Sequence, residues 1–272
     1  MYKTWFDTGR NDHLGVGEFF EYIIKALYTS VLKEGNMAID GGANQGRHTF
    51  PMAKLVGNGG LVLGFEALPD YAARLRTALA AANVSNATIV NKAIGSRIGT
   101  TEFTFVPDCA GMSGIKERQG IPETAKKNIT QIQVQLTTMD AELNEFPPDR
   151  IVRFVKLDLE GGEYDALRGA EFIMRYHQPL IVFEHAFDWS TKLYGYDKES
   201  WYDLFSRTGY SLFDLFGRPF AQANWGRRDT PWYMVAAKRI DDVEFVQRTL
   251  PALIEVIYEP CAKYIKHFKQ PT

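Results

Sequence analysis

Four short apolar runs that each finish on an acid constrain this chain more than any other feature. Met37-Ala38-Ile39-Asp40, Leu61-Val62-Leu63-Gly64-Phe65-Glu66, residues 151–157 leading into Asp158, and Leu180-Ile181-Val182-Phe183 leading into Glu184 do not alternate apolar with polar. Runs of that kind are expected where a strand is covered on both faces, the condition of a parallel sheet. A helical stretch to about Val56 follows the first run. A second covers residues 69–82, opened by Pro69, whose missing N–H costs nothing at a helix start. Thr88-Ile89-Val90-Asn91 begins a further strand. This alternation predicts a parallel sheet with right-handed crossovers.

The rest of the chain decorates that core. Thr101–Val106 and Ile132–Leu136 alternate and predict extra antiparallel strands, while Ser211–Phe216 and Trp232–Ala237 predict a closing hairpin. Phe19, Phe20, Ile23, Ile24, Leu27 and Val31 recur at helical spacing, so residues 1–35 read as a helical N-terminal cap. Residues 36–240 form the main α/β domain. Residues 241–272 read as a C-terminal helical extension broken by Pro251 and Pro260. The fold class expected is doubly wound α/β with helical additions at both ends.

Composition removes several classes. With 31 Lys+Arg against 33 Asp+Glu the net charge is −2, whereas wholesale binding of nucleic acid or a membrane surface needs a cationic face. At 45% apolar the chain is too hydrophobic for disorder. Its two cysteines, Cys109 and Cys261, exclude a disulfide scaffold and point to a reducing compartment. No signal-peptide pattern opens the chain and no run is long enough to span a bilayer, so a cytoplasmic location is expected. The three Asn-x-Ser/Thr sequons, at Asn83, Asn86 and Asn128, are then chance matches.

In an open parallel sheet, ligands sit beyond the carboxyl ends of the strands. Gly41-Gly42-Ala43-Asn44-Gln45-Gly46 falls there, where glycine allows close backbone approach and the next helix offers free N–H groups. Glu66, 25 positions after Gly41, ends the next strand, placed to accept the hydroxyls of an adenosine ribose. The loop alone suits NAD equally well. Asp40 separates the two, because a carboxylate beside a pyrophosphate is costly, whereas S-adenosylmethionine carries a sulfonium and an ammonium. Asp158 and Glu160 leave a central strand, and burying a carboxylate costs several kcal/mol unless it is paired or functional. Glu163 in the following first turn reads equally as a complement to the helix dipole. Glu184-His185 repeats the arrangement one strand on.

Together these segments resemble the FkbM-type family of S-adenosylmethionine-dependent methyltransferases. The resemblance rests on Ile39-Asp40-Gly41-Gly42-Ala43-Asn44-Gln45-Gly46, Gly64-Phe65-Glu66-Ala67, Asn91-Lys92-Ala93-Ile94-Gly95 and Lys156-Leu157-Asp158-Leu159-Glu160-Gly161-Gly162-Glu163. It covers roughly residues 36–237. It implies a Rossmann-like, mostly parallel seven-stranded sheet, the class I methyltransferase fold. Asp40, Gly41, Gly42 and Asn44 would hold the methionine part of the cofactor and Glu66 the ribose. Asn91, Lys92 and Ala93 would lie near the adenine and Asp158 beside the transferable methyl. The activity implied is O-methylation of a hydroxyl on a sugar or secondary metabolite. The Met112-Ser113-Gly114 turn falls where relatives carry a serine-rich loop. Pro51 inside the first helix departs from the pattern and predicts a late start or a kink.

Methyl transfer to an alcohol needs in-line positioning and a base. His185 is nominated as base, since it titrates near neutrality, with Glu184 and Glu160 as alternatives or as groups that orient substrate hydroxyls. Asp158, Glu160 and Glu184 could hold Mg²⁺, though no spacing demands a metal, and none is assigned. The partner expected is a small-molecule or carbohydrate hydroxyl acceptor, without nucleic acid or membrane; the oligomeric state is not legible. Aromatic residues 186–202 could wall the acceptor, but Trp201 and Phe205 read as core. Asn224, Trp225, Arg227 and Arg228 fall at a rim. One rival is a short-chain NAD(P)-dependent oxidoreductase, from Tyr194-x-x-x-Lys198. Others are a nucleic-acid methyltransferase and a non-catalytic scaffold.

Overall fold

The strands form where the apolar runs predict them. The computed structural model describes residues 13–147, 150–227 and 229–261. Residues 1–12, 262–272 and Arg228, part of the expected cap, extension and rim, lie outside the described residues. The strands are β1 Met37–Gly41, β2 Leu61–Phe65, β3 Ala87–Val90, β4 Ala93–Ile94, β5 Gly99–Phe105, β6 Thr130–Thr137, β7 Val152–Leu157, β8 Leu180–Glu184, β9 Ser211–Asp214 and β10 Tyr233–Ala237. Seven make the main sheet in the order β3-β2-β1-β7-β8-β10-β9. All pairs are parallel except those of β10, which runs antiparallel to both β8 and β9. The alternating segments β5 and β6 pair antiparallel in a separate three-stranded sheet with β4.

Both faces of the main sheet are covered, which is why its central strands are apolar throughout. The N-terminal helix α1 (His13–Val31) buries Phe19, Phe20, Ile23, Ile24 and Leu27 against Ala38, Phe154, Val182 and Val235. Full burial of such a side chain contributes roughly 1.5–3 kcal/mol. The helix α2 (Thr49–Val56) adds Met52, Ala53 and Val56 to the same face. On the opposite face Ile39, Leu63, Val155, Leu157, Ile181 and Phe183 meet Leu167, Met174, Trp201, Leu204 and Phe205. The helix over residues 69–82 is observed as α3 (Pro69–Ala81), with Pro69 in its first turn.

The two irregular prolines are accommodated differently. Pro51 is the third residue of α2, where the N–H would have no intrahelical partner, so the helix starts late instead of kinking. The tail runs on from Ile240–Glu244 through a π-helical turn, Phe245–Thr249, into Leu250–Cys261. Pro251 therefore does not break it into separate helices. Its missing donor and bulky ring are met by the wider π turn just before it. No helix among the described residues is long and apolar enough to cross a membrane.

Candidate functional site

The order of the strands reverses between β1 and β7, and the crevice at their carboxyl ends is where the acids gather. The glycine loop is pinned there by the backbone. Gly42 and Ala43 N–H both donate to the Phe65 carbonyl (3.0 and 2.9 Å), and Asp158 N–H donates to Gly41 O (3.1 Å). Gly42 has φ +76°, and a Cβ there would lie 2.1 Å from the Asp158 carbonyl oxygen, so the position admits only glycine. Gly41 serves packing instead. A Cβ on it would meet Leu157 and Ile94 side chains at 2.7 and 2.9 Å, and it lines neither cavity described below.

Two cavities open on the crevice and share Gly42, Asn44 and Asp158. The first encloses about 720 Å³, solvent at its mouth included. Its walls are largely apolar: Phe65, Leu68, Tyr71, Ala93, Ile94, Phe103 and Ile115. Glu66 lies in this wall, 8% exposed, with Oε2 accepting from Asn44 N–H and Oε1 from Leu68 N–H, both at 2.9 Å. Burial raises its carboxyl above the ordinary range, against those two hydrogen bonds. Ser113 and Gly111, from the turn after β5, close the cavity, and Ser113 Oγ accepts from Val106 N–H (3.0 Å). Lys92 and Ala93 line it too. Asn91 does not; its side chain donates to the carbonyls of Glu66 and Ala67 and braces the turn.

The second cavity, about 610 Å³ on the same measure, is charged. It lies between α1, the start of α2 and the tips of β1 and β7, lined by Glu21, Asp40, Arg47, His48, Lys156 and Asp158. Asp40 is 1% exposed and accepts from Thr49 Oγ1 through Oδ2 (2.6 Å). Lys156 is also buried, its Nζ 3.3 Å from Asp158 Oδ2 and 4.0 Å from Asp40 Oδ1. Burial opposes its charge, but Asp158, Asp40 and Glu21 outweigh it and hold the ammonium above its ordinary range. Asp158, which burial would raise, is held low by Lys156 and by the Tyr233 hydroxyl, which donates to Oδ2 at 2.8 Å.

Beyond Asp158 the acids crowd. Carboxylate oxygens of Asp158, Glu160 and Glu184 lie within 4.8 Å of one another. Arg118, from the segment between β5 and β6, forms an ion pair with Glu160. Glu163, 1% exposed at the start of α4 (Glu163–Arg168), accepts from Leu159 and Gly161 N–H through Oε1 and so shapes the turn rather than only facing a helix dipole. Burial pushes Glu163 up to about 7. It pushes Glu184 well above the ordinary carboxyl range, helped by Asp158 and Glu163.

His185 is not in this group. His185 directly follows the last residue of β8, Glu184, and the two side chains part: Glu184 lies with Asp158 and Glu160, His185 with Phe183 and Trp201. His185 is 2% exposed, its ring stacked on Trp201 (4.8 Å) and met edge-on by Phe187 (5.0 Å) and Trp225 (5.1 Å). Burial alone lowers it to about 3. Its ring sits in this aromatic shell and not among the acids around Asp158, where Glu184 lies, and its nomination as base is corrected by this placement. Trp201 and Phe205 are fully buried core, as expected. Asn224 accepts from Ala221 N–H, Trp225 Nε1 donates to Asp188, and Arg227 pairs with Asp229. Tyr194 closes α5 (Asp188–Tyr194) and Lys198 opens α6 (Lys198–Thr208) across Gly195 at φ +71°. The Tyr-x-x-x-Lys match therefore does not share one helix turn.

The sequence reading missed Tyr233, Arg118, Glu21 and His48. Glu21 and Tyr233 lie far from the motifs in the chain. His48 follows the glycine loop by two residues, which is the one local signal.

Residues 40–212 match the family model for the methyltransferase FkbM domain. No curated protein matches the chain by sequence. Among solved structures, an rRNA-methylase-named protein from Clostridium thermocellum is 14% identical, over 83% of this chain and 96% of that one, with a TM-score of 0.47. A methyltransferase FkbM from Methylobacillus flagellatus is 16% identical over 77% and 49% of the two chains (TM-score 0.45). A methyltransferase-named protein from Streptococcus mutans, solved in complex with SAH, is 12% identical over 79% and 94% (TM-score 0.42).

Proposed function

The chain belongs to the FkbM methyltransferase family, with a class I methyltransferase fold, and from that premise we propose that it methylates a hydroxyl of a small-molecule or carbohydrate acceptor, using S-adenosylmethionine. The observation that carries this reading is the pair of cavities meeting at Gly42, Asn44 and Asp158, one apolar and one charged. An adenosine and a zwitterionic amino acid joined by a sulfonium have that same division. The residues present fit it. Glu66 keeps lone pairs free beyond its two backbone bonds, for ribose hydroxyls, and Ala93 and Leu68 offer apolar walls for a base. Asp40 retains an unpartnered Oδ1 and Asn44 an unpartnered Oδ1.

When bound, the cofactor supplies a methyl group on a sulfonium that leaves readily as a thioether. The work of this chain is then to position the acceptor, exclude water and take one proton. Asp158 sits where the two cavities join, its charge maintained by Lys156 and Tyr233. Glu184 replaces His185 as base. It faces Asp158 and Glu160, and a carboxylate with raised proton affinity is the better acceptor for a hydroxyl proton. Glu160, held by Arg118, orients acceptor hydroxyls.

Calorimetry with S-adenosylmethionine, S-adenosylhomocysteine, NAD and NADP tests the donor half. Binding of NADP with no response to the sulfonium cofactor would overturn it. A labelled-methyl screen across glycans, small alcohols and RNA tests the acceptor half, with label expected on an alcohol or glycan hydroxyl and not on RNA.

A further inference from the structure

Three buried acceptor atoms without a hydrogen-bond partner belong to residues lining the charged cavity: Asp40 Oδ1, Asn44 Oδ1 and His48 Nδ1. The nearest cation to Asp40 Oδ1, Lys156 Nζ, stands 4.0 Å off, beyond hydrogen-bond reach. His48 is 5% exposed, and its Nε2 lies 2.5 Å from Glu21 Oε2 on α1. A carboxylate can only accept, so Nε2 carries the proton and, in the neutral ring, Nδ1 offers a lone pair. Buried acceptors left unmatched are costly, and three around one cavity mark a place where a donor belongs. A primary ammonium carries three N–H donors and no acceptor.

We infer that His48 and Glu21 also belong to the seat of the donor's α-ammonium in this cavity, His48 as an acceptor beside Asp40 and Asn44, and Glu21 as the residue that sets the His48 tautomer. The inference rests on the methyltransferase reading above. It brings into the site a helix that precedes the family match at residues 40–212. That helix grips both residues that follow Gly46. Glu18 takes the Arg47 guanidinium through two hydrogen bonds of 2.7 and 2.8 Å, Glu21 takes His48, and the Tyr28 ring meets the imidazole edge-on at 5.7 Å. The ring therefore has one orientation, and Glu21 is a positioning residue.

The test is calorimetry on the full chain with two probes: S-adenosylhomocysteine and its analogue with hydrogen in place of the α-amino group. Wild type is expected to prefer the amine. His48→Phe should weaken binding of S-adenosylhomocysteine by about tenfold or more, the scale of a hydrogen bond to a charged group, and leave the deaminated analogue within about twofold. Glu21→Ala should do the same to a smaller degree, and nitrogen NMR of His48 should change from one Nε2–H tautomer to a mixture. Equal weakening of both probes, or no weakening, would overturn the inference, as would a wild type indifferent to the amino group. A wild type that binds neither probe would overturn the methyltransferase reading with it. Should His48→Phe fail to fold, Glu21→Ala carries the test, because Glu21 is at the surface of the cavity and not in the core.

Discussion

The tips of β1 and β2 present buried acids and the tips of β7 and β8 mostly half-buried ones, and the two groups are held differently. Asp40 and Glu66 are met by neutral donors: a threonine hydroxyl and the backbone N–H groups of Asn44 and Leu68. Asp158, Glu160, Glu163 and Glu184 share two cations, Lys156 and Arg118, and burial, helped by the neighbouring carboxylates, pushes Glu163 and Glu184 upward. Neutral hydrogen bonds fix a shape, and at Glu66 they work against the rise that burial imposes. A crowd of carboxylates with too few cations is instead poised to take or give up a proton. On the function proposed above, the first half holds the cofactor and the second does chemistry beside it.

The largest effect is expected where the two halves touch. Gly42→Ala places a methyl 2.1 Å from the Asp158 carbonyl at a backbone angle that favours glycine, so the loop must leave β7. Affinity for S-adenosylhomocysteine should fall roughly a hundredfold or more, a change of about 2.7 kcal/mol, with the melting temperature reporting whether the fold survives. Retention of affinity within about tenfold would break the view that cofactor binding depends on the close approach of Gly42 to β7 where the two cavities meet.

Next in size is a separation of binding from turnover. Glu184→Gln should lower the methyl-transfer rate by about 10²–10⁴, the usual contribution of a general base, and leave cofactor affinity within about threefold. Equal losses in both would show that the division between the halves is not functional.

The geometry of the first half was legible because it is local. Asp40-Gly41-Gly42-Ala43-Asn44 and Glu66 carry their geometry within a few residues, and alternation of strand and helix fixed which end of the sheet they occupy. Gly41 and Asn91 sit inside the same motifs but pack and brace, which no spacing distinguishes from contact. The second half depends on partners brought from afar. Tyr233 reaches Asp158 from 75 positions on, and Arg118 reaches Glu160 from 42 positions back. Which face of β8 a residue occupies also depends on register. An error of one position exchanges Glu184 for His185.

A subtler contrast lies in the pH dependence of stability. Glu163, buried and pushed up to about 7 from 4.5, binds its proton more tightly in the folded state. Stability from it is therefore complete below pH about 4.5 and is lost as pH rises through about 7, by a few kcal/mol at most. Glu163→Gln keeps an acceptor for the Leu159 and Gly161 N–H groups and removes the titration. Denaturant midpoints for the variant should lose that decline between pH 4.5 and 7. An unchanged slope would mean that Glu163 is already neutralised by its surroundings.

The smallest effect on activity is expected at His185, although a histidine at a strand tip is the residue that invites the role of base. Its ring is enclosed by Trp201, Phe187 and Trp225, and burial lowers it from 6.5 to about 3. A group depressed in the folded state contributes stability that is present above pH about 6.5 and lost as pH falls toward 3. His185→Phe fills the same aromatic surround with a ring of similar size and no charge to bury. Turnover should stay within about twofold of wild type, and the fall in stability on the acid side, between pH 6.5 and 3, should flatten. A loss on the scale expected for Glu184→Gln would instead return the proton to His185. It would also require β8 to turn its other face to the crevice, against a register fixed by Tyr233 opposite Glu184.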